Sequence, residues 1–184
     1  MPNKTTCLAL ACLLFSLLPF ARAQAETWVL IDTRTQTLSV MDGIRVLEHF
    51  DRIALGAAGA GLKRGRGDGK TPLGTFHVSW FNPSSRFNYF IGLDYPNRAY
   101  ADRALEEGRI DRGTHLRIVS AIDLRITPPQ DTPLGGQIGI HGLGAGDRRV
   151  HETLNWTNGC IALDNGEIQR LARWVRRGTR VEIL

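Results

Sequence analysis

The chain has 184 residues, 42% of them hydrophobic and 22% charged, with 20 glycines, 8 prolines and a formal net charge of +5. These values fit one folded domain with one core and exclude a disordered, collagen-like or coiled-coil chain. The basic excess is mild once Lys4 and Arg22 are set aside in the leading segment. It suits an anionic polymer surface and does not call for nucleic acid.

The chain opens with Lys4, an apolar run from Cys7 to Leu18, Pro19, and small residues at Ala21, Ala23 and Ala25. This is the layout of a secretory signal over residues 1–25, cleaved after Ala23 or Ala25, and the run is too short to span a bilayer. The remainder, 26–184, is expected to be exported to the periplasm with no transmembrane segment and to act as a monomer. Cys7 and Cys12 leave with the signal, so Cys160 stands alone where thiols oxidise. An unpaired exported cysteine is either a reactive thiol or a buried apolar filler.

Trp28–Thr33 and Thr37–Met41 read as strands, and Asp42-Gly43 as a two-residue hairpin turn leading into Ile44–Leu55. Lys63–Lys70 reads as a basic, glycine-rich loop with solvated charges. Its G-x-x-x-G-K-T is one residue short of a phosphate loop, and Pro72 spoils the helix that should follow. Thr75–Phe81 is a further strand, Pro83–Gly113 is irregular, and the alternation in His115–Ile126 predicts one long or two short strands. Gln137–His141 is a short strand that ends on His141. After Cys160, Asp164 and Glu167 form a capping box for one helix with Ile168, Leu171, Ala172 and Val175 on its apolar face. Arg180–Leu184 is the last strand. The expected fold is mainly β, a sandwich or barrel of mixed sheets with one short helix after Cys160.

His141 and Cys160 belong together chemically. A thiol at its ordinary pKa is mostly protonated at neutral pH, and a base within hydrogen-bond reach turns it into a nucleophile. Gly142, Gly144 and Gly146 let the intervening loop fold back, and Gly159 permits a tight bend that could aim the Gly159 and Cys160 amides at an oxyanion. The approaching helix N-terminus would favour a thiolate. No C-x-x-C or H-x-x-x-H pair supports a metal site.

His141-Gly142, a spacer, then Thr157-Asn158-Gly159-Cys160-Ile161 resembles the L,D-transpeptidase catalytic domain, the YkuD-like family. Thr71-Pro72-Leu73-Gly74-Thr75-Phe76 resembles the family's T-P-x-G-x-F segment, Leu38–Gly56 its opening hairpin, and Ile138–Gly142 its strand before the histidine. The resemblance spans roughly residues 27–184 and implies an L,D-transpeptidase-like β fold. It implies a thioester between Cys160 and the diaminopimelate of a peptidoglycan stem tetrapeptide, release of D-alanine, and transfer of the acyl group to an amine. His141 is the implied acid and base, and the Gly142 carbonyl its orienter. Gly159, Thr157, Asn158, Tyr95, His115 and Trp156 are the expected oxyanion and substrate residues. Carbapenem acylation is a further implied trait, and no cofactor is needed. Asn158 and Ala162 depart from the residues common in the family. The Gly-Cys-Ile-Ala-Leu form, with Tyr95-Pro96-Asn97 and Asp102-Arg103 upstream, resembles a branch that includes hydrolases, which cleave the bond from diaminopimelate to an outer-membrane lipoprotein or within a stem peptide. A wall-binding module without turnover is a third reading.

Overall fold

The computed structural model describes residues 26–184, so the expected signal at 1–25 lies outside the described residues. Ten strands and four helices are described: β1 Thr27–Asp32, β2 Thr37–Asp42, β3 Arg45–Phe50, β4 Ala60–Gly61, β5 Thr71–Pro72, β6 Gly74–Asn82, β7 Phe90–Leu93, α1 Arg98–Glu106, α2 Arg112–Asp123, β8 Gly139–Gly142, α3 Arg148–Thr153, β9 Ile161–Leu163, α4 Asn165–Leu171 and β10 Arg180–Ile183. The fold is mainly β. One mixed eight-stranded sheet runs β3-β2-β1-β10-β6-β7-β8-β9, and β4 and β5 pair separately. Only β1–β10 and β8–β9 are parallel within the large sheet.

The alternation of apolar residues sets the inner face. Val29 and Ile31 of β1, Val181 and Ile183 of β10, Phe76 and Val78 of β6, Ile91 and Leu93 of β7, and Ile161 and Leu163 of β9 all enter one core. β6 is long enough to serve both halves of the sheet. Its register shifts between Val78 and Trp80, and such a bulge increases local twist. Past β3 the chain turns back and Ala54 exchanges both backbone hydrogen bonds with Ala162 on the free edge of β9, at 3.0 and 2.8 Å. This covers an edge that would otherwise be open. α4 closes the core with Ile168 and Leu171, and Asp164 and Glu167 form the expected capping box.

Three local expectations are corrected. His115–Ile126 is not strand. α2 occupies Arg112–Asp123, capped by Asp111, whose side chain accepts the Thr114 amide at 2.6 Å. Its buried residues are Thr114, Ile118 and Ala121, a helical spacing inside a stretch that also alternates. α2 pairs with α1, and both pack on Leu134 in a second small core. The helix after Cys160 is thus one of four. The hairpin turn is shifted by one residue: Asp42 pairs with Arg45, leaving Gly43 and Ile44 at the tip, with positive φ at Gly43. Among the described residues, no helix is long and apolar enough to cross a membrane.

Candidate active site

The register of β8 with β9 brings the two chemical residues to one face. His141 pairs with Ala162, and Cys160 lies two residues before Ala162, so both project from the face opposite the core. Diagonal neighbours on one sheet face are within reach of long side chains. Both line one cleft of about 730 Å³, together with Trp80, Asn82, Arg86, Phe87, Phe90, Gln137, Trp156, Thr157 and Asn158.

Aromatic rings hold the imidazole. Phe87 stacks on it at 4.3 Å between centroids, Phe90 lies parallel at 6.0 Å, and Trp156 meets it edge-on at 5.7 Å. Phe90 can lie flat because Gly139 is bare; a Cβ there would sit 2.6 Å from its ring. His141 Nδ1 is 2.8 Å from the Gly142 carbonyl oxygen. A carbonyl can only accept, so the proton is on Nδ1 and Nε2 keeps its lone pair. Burial lowers the imidazole pKa to about 4, against a smaller opposing pull from the Gly142 carbonyl.

The turn that carries Cys160 is built from Thr157. Its hydroxyl donates to the Cys160 carbonyl at 2.7 Å and accepts the Gly159 amide at 3.0 Å. That amide is therefore spent inside the turn and is not aimed at an oxyanion, a correction to the sequence expectation. Gly159 has φ of +124°, and a Cβ on it would lie 2.6 Å from the Lys70 carbonyl oxygen. The segment before Thr71-Pro72 thus forms the back wall of the turn. Gly159→Ala is expected to lose about 1–3 kcal/mol from the backbone conformation alone and, with the steric conflict, to lower Tm by several degrees; thermal melting checks it.

Cys160 is partly accessible, yet atoms packed around its sulfur push the thiol pKa up to about 11, with the Gly139 amide and the Lys63 charge pulling weakly the other way. With the thiol near 11 and the imidazole near 4, the proton stays on sulfur in the resting site. β9 separates Cys160 from α4, which starts at Asn165, so no helix N-terminus promotes a thiolate. A resting ion pair is therefore not the ground state.

The cleft brings together Cys160, His141, Thr157, Asn158 and Trp156, with Gly142 and Gly159 beneath. It does not include Tyr95 or His115. Tyr95 is fully buried, tilted against Phe76 and edge-on to Tyr100, with its hydroxyl on the Leu134 carbonyl at 2.9 Å. His115 sits on α2 and binds Asp102 of α1 at 2.6 Å, tying the helical hairpin together. Phe87, Phe90, Arg86 and Gln137 were not singled out from sequence. Phe87 lies in an irregular stretch with no motif, and the only hint was the density of aromatics between Trp80 and Phe90.

A family model described as the L,D-transpeptidase catalytic domain matches residues 26–183, and the chain belongs to this family. Among solved structures, the helical cell shape determining protein Pgp2 from Campylobacter jejuni matches with a TM-score of 0.58 at 25% identity, over 86% of this chain and 47% of that one. Bd1075 from Bdellovibrio bacteriovorus matches with a TM-score of 0.55 at 18% identity, over 90% and 50% of the two chains. An L,D-transpeptidase from Xylanimonas cellulosilytica matches at 0.50 and 18%, over 89% and 62%. The chain spans about half the length of the first two structures. A comparison with curated proteins finds no match.

Proposed function

We propose that the chain is an exported peptidoglycan acyltransferase with Cys160 as nucleophile and His141 as its base. The observation that carries this reading is the placement of the Cys160 thiol and an imidazole with a free Nε2 on one face of one cleft. As the sulfur attacks the carbonyl carbon of diaminopimelate in a stem tetrapeptide, its proton passes to His141 Nε2. The S–C bond forms and the carbonyl oxygen takes the negative charge. Backbone amides around the Cys160 turn would meet that charge. Collapse breaks the C–N bond, His141 returns the proton to the departing D-alanine amine, and a thioester remains. An amine of a second stem attacks it and restores the thiol. Asn158 and Trp156 wall the acyl site, and Arg86 at the rim supplies a positive charge for a stem carboxylate. No step calls for a metal or cofactor.

Hydrolysis is the second reading, favoured by one observation: Cys160 stays partly open to solvent, so water can reach a thioester there. Release of a lipoprotein or of a stem fragment would follow from the same first step. Kinship with the cell shape determining protein Pgp2 supports a role in remodelling the wall that sets cell shape.

The experiment is incubation of wild type and Cys160→Ala with tetrapeptide sacculi and with lipoprotein-linked sacculi, read by muropeptide mass analysis. Direct 3→3 cross-links establish transfer, and tripeptides or freed lipoprotein establish hydrolysis. No change in stems, together with no carbapenem adduct on Cys160, would overturn both and leave a wall-binding module.

A further inference from the structure

The Cys160 thiol donates its hydrogen bond to the Gln137 carbonyl oxygen, 3.2 Å away, in the irregular segment entering β8. Gln137 is not a glycine, yet its φ is +56°, the left-handed region that side-chain-bearing residues seldom occupy. Something must hold that peptide in place. Its amide donates to Gln130 Oε1 at 2.6 Å, while Gln130 Nε2 donates to the carbonyls of Tyr95 at 2.9 Å and Pro128 at 2.8 Å. One side chain thereby ties three stretches of backbone. Only a primary amide offers an acceptor and two donors on one planar group at this length, so neither Glu nor Met can reproduce the set.

The rest of the loop is equally fixed. The Tyr95 hydroxyl binds the Leu134 carbonyl, Thr132 and Gly135 close a turn, and the Arg66 amide donates to the Pro133 carbonyl at 3.0 Å. Gly136 packs so closely that a Cβ would lie 2.3 Å from the Gln130 carbonyl oxygen. The outward-turned carbonyl of Gln137 is therefore a built feature of the cleft.

We propose that Gln130 is a positioning residue that holds the Gln137 peptide in its left-handed turn, so that the Cys160 thiol rests on a carbonyl acceptor until substrate draws it to His141. The inference rests on the reading of Cys160 as the nucleophile. A carbonyl oxygen beside sulfur favours the protonated thiol and disfavours the thiolate, because its dipole presents negative charge. The charged and titratable groups facing the pair are His141 on β8, Lys63 from the loop before β5, and Arg86 and His151 around the imidazole. The side-chain hydrogen bonds of Gln130 go to Tyr95, Pro128 and Gln137 and to none of these groups. The arrangement spares an exported, unpaired cysteine from oxidation, since oxidation follows thiolate character.

The test is the pH profile of iodoacetamide alkylation at the Cys160 peptide of the full chain, read by mass spectrometry for wild type, Gln130→Ala and the near-isosteric Gln130→Met. The expected result is a profile moved to lower pH in both variants, with alkylation at pH 8 faster by about tenfold, the equivalent of one pH unit. A lowered Tm with an unmoved profile would reduce Gln130 to a structural residue and overturn the proposal, and so would a profile moved upward. Amide hydrogen exchange in wild type reads the clamp with no substitution. Slow exchange at Gln137 supports it, and exchange at the rate of an open loop overturns it. Alkylation needs no stem peptide, so a failure of the acyl-transfer reading leaves this outcome distinct.

Discussion

Replacing His141 with glutamine is expected to slow acylation of Cys160 by roughly a thousandfold while leaving the cleft in place. Positioned general bases contribute about 10²–10⁴ in rate, and no other basic nitrogen lines the cleft beside the sulfur among the described residues. Glutamine can still donate to the Gly142 carbonyl, so the variant isolates the lost lone pair. The wild-type pH profile distinguishes the neutral pair from an ion pair. A neutral imidazole with a pKa near 4 is the active form, so acylation falls only as pH drops toward 4. It should not fall between pH 8 and 9.5, where an imidazolium–thiolate pair would lose its acid. Stopped-flow or quenched acylation by a carbapenem across that range is the measurement, and a descending limb near pH 8.5 would sink the neutral pair. The same group predicts a stability signature. Its folded pKa lies below the ordinary 6.5, so its contribution is complete above 6.5 and is lost as pH falls toward 4. The size is of order 3 kcal/mol. His151, lowered chiefly by burial, adds in the same direction. Denaturant unfolding at pH 7 and pH 4.5 should show a smaller loss in His141→Gln than in wild type.

The residues that line the cleft around His141 and Cys160 were partly legible in sequence because they lie in short, contiguous motifs. Thr157, Gly159 and Cys160 form one turn, and His141 and Gly142 one strand end, so spacing along the chain was enough. The capping box of α4 was legible for the same reason: both partners lie within one turn. What failed was nonlocal. Tyr95 was an expected substrate residue, yet its ring is covered by Phe76 and Tyr100, and only the tertiary packing decides that. In His115–Ile126 the strand and helix periods both fit, and Asp111, upstream of that stretch, is the cap that decides between them. The thiol's protonation state was misjudged because a motif names the base but does not report burial. The oxyanion expectation for Gly159 failed because the Thr157 hydroxyl already takes that amide.

Asp68→Ala is expected to destabilise the protein by about 3–5 kcal/mol, the usual cost of stranding one partner of a buried ion pair. From sequence, Lys63–Lys70 read as a solvated basic loop. In the fold, the Lys63 side chain is 2% exposed and its Nζ is 2.5 Å from Asp68 Oδ1. Asp68 also accepts the amides of Lys70 at 3.1 Å, Arg64 at 2.7 Å and Gly65 at 3.2 Å. Burial alone would raise the carboxyl pKa, but Lys63 and these amides outweigh it and hold the group below its ordinary value. Its stabilising effect is thus present at neutral pH and lost as pH falls through that lowered value. Removing the carboxylate leaves an ammonium buried without a partner and releases three amides. The effect reaches the site, because the Lys70 carbonyl is the wall against which Gly159 packs. A double-mutant cycle with Lys63→Met and Asp68→Asn, measured by denaturant unfolding, separates the possibilities. Each single change should cost several kcal/mol and the pair much less than their sum, since two apolar or neutral groups need no mutual compensation. Additive costs below about 1 kcal/mol each are what exposed pairs give, and that outcome would return the loop to a solvated surface and remove the support it lends to the Cys160 turn.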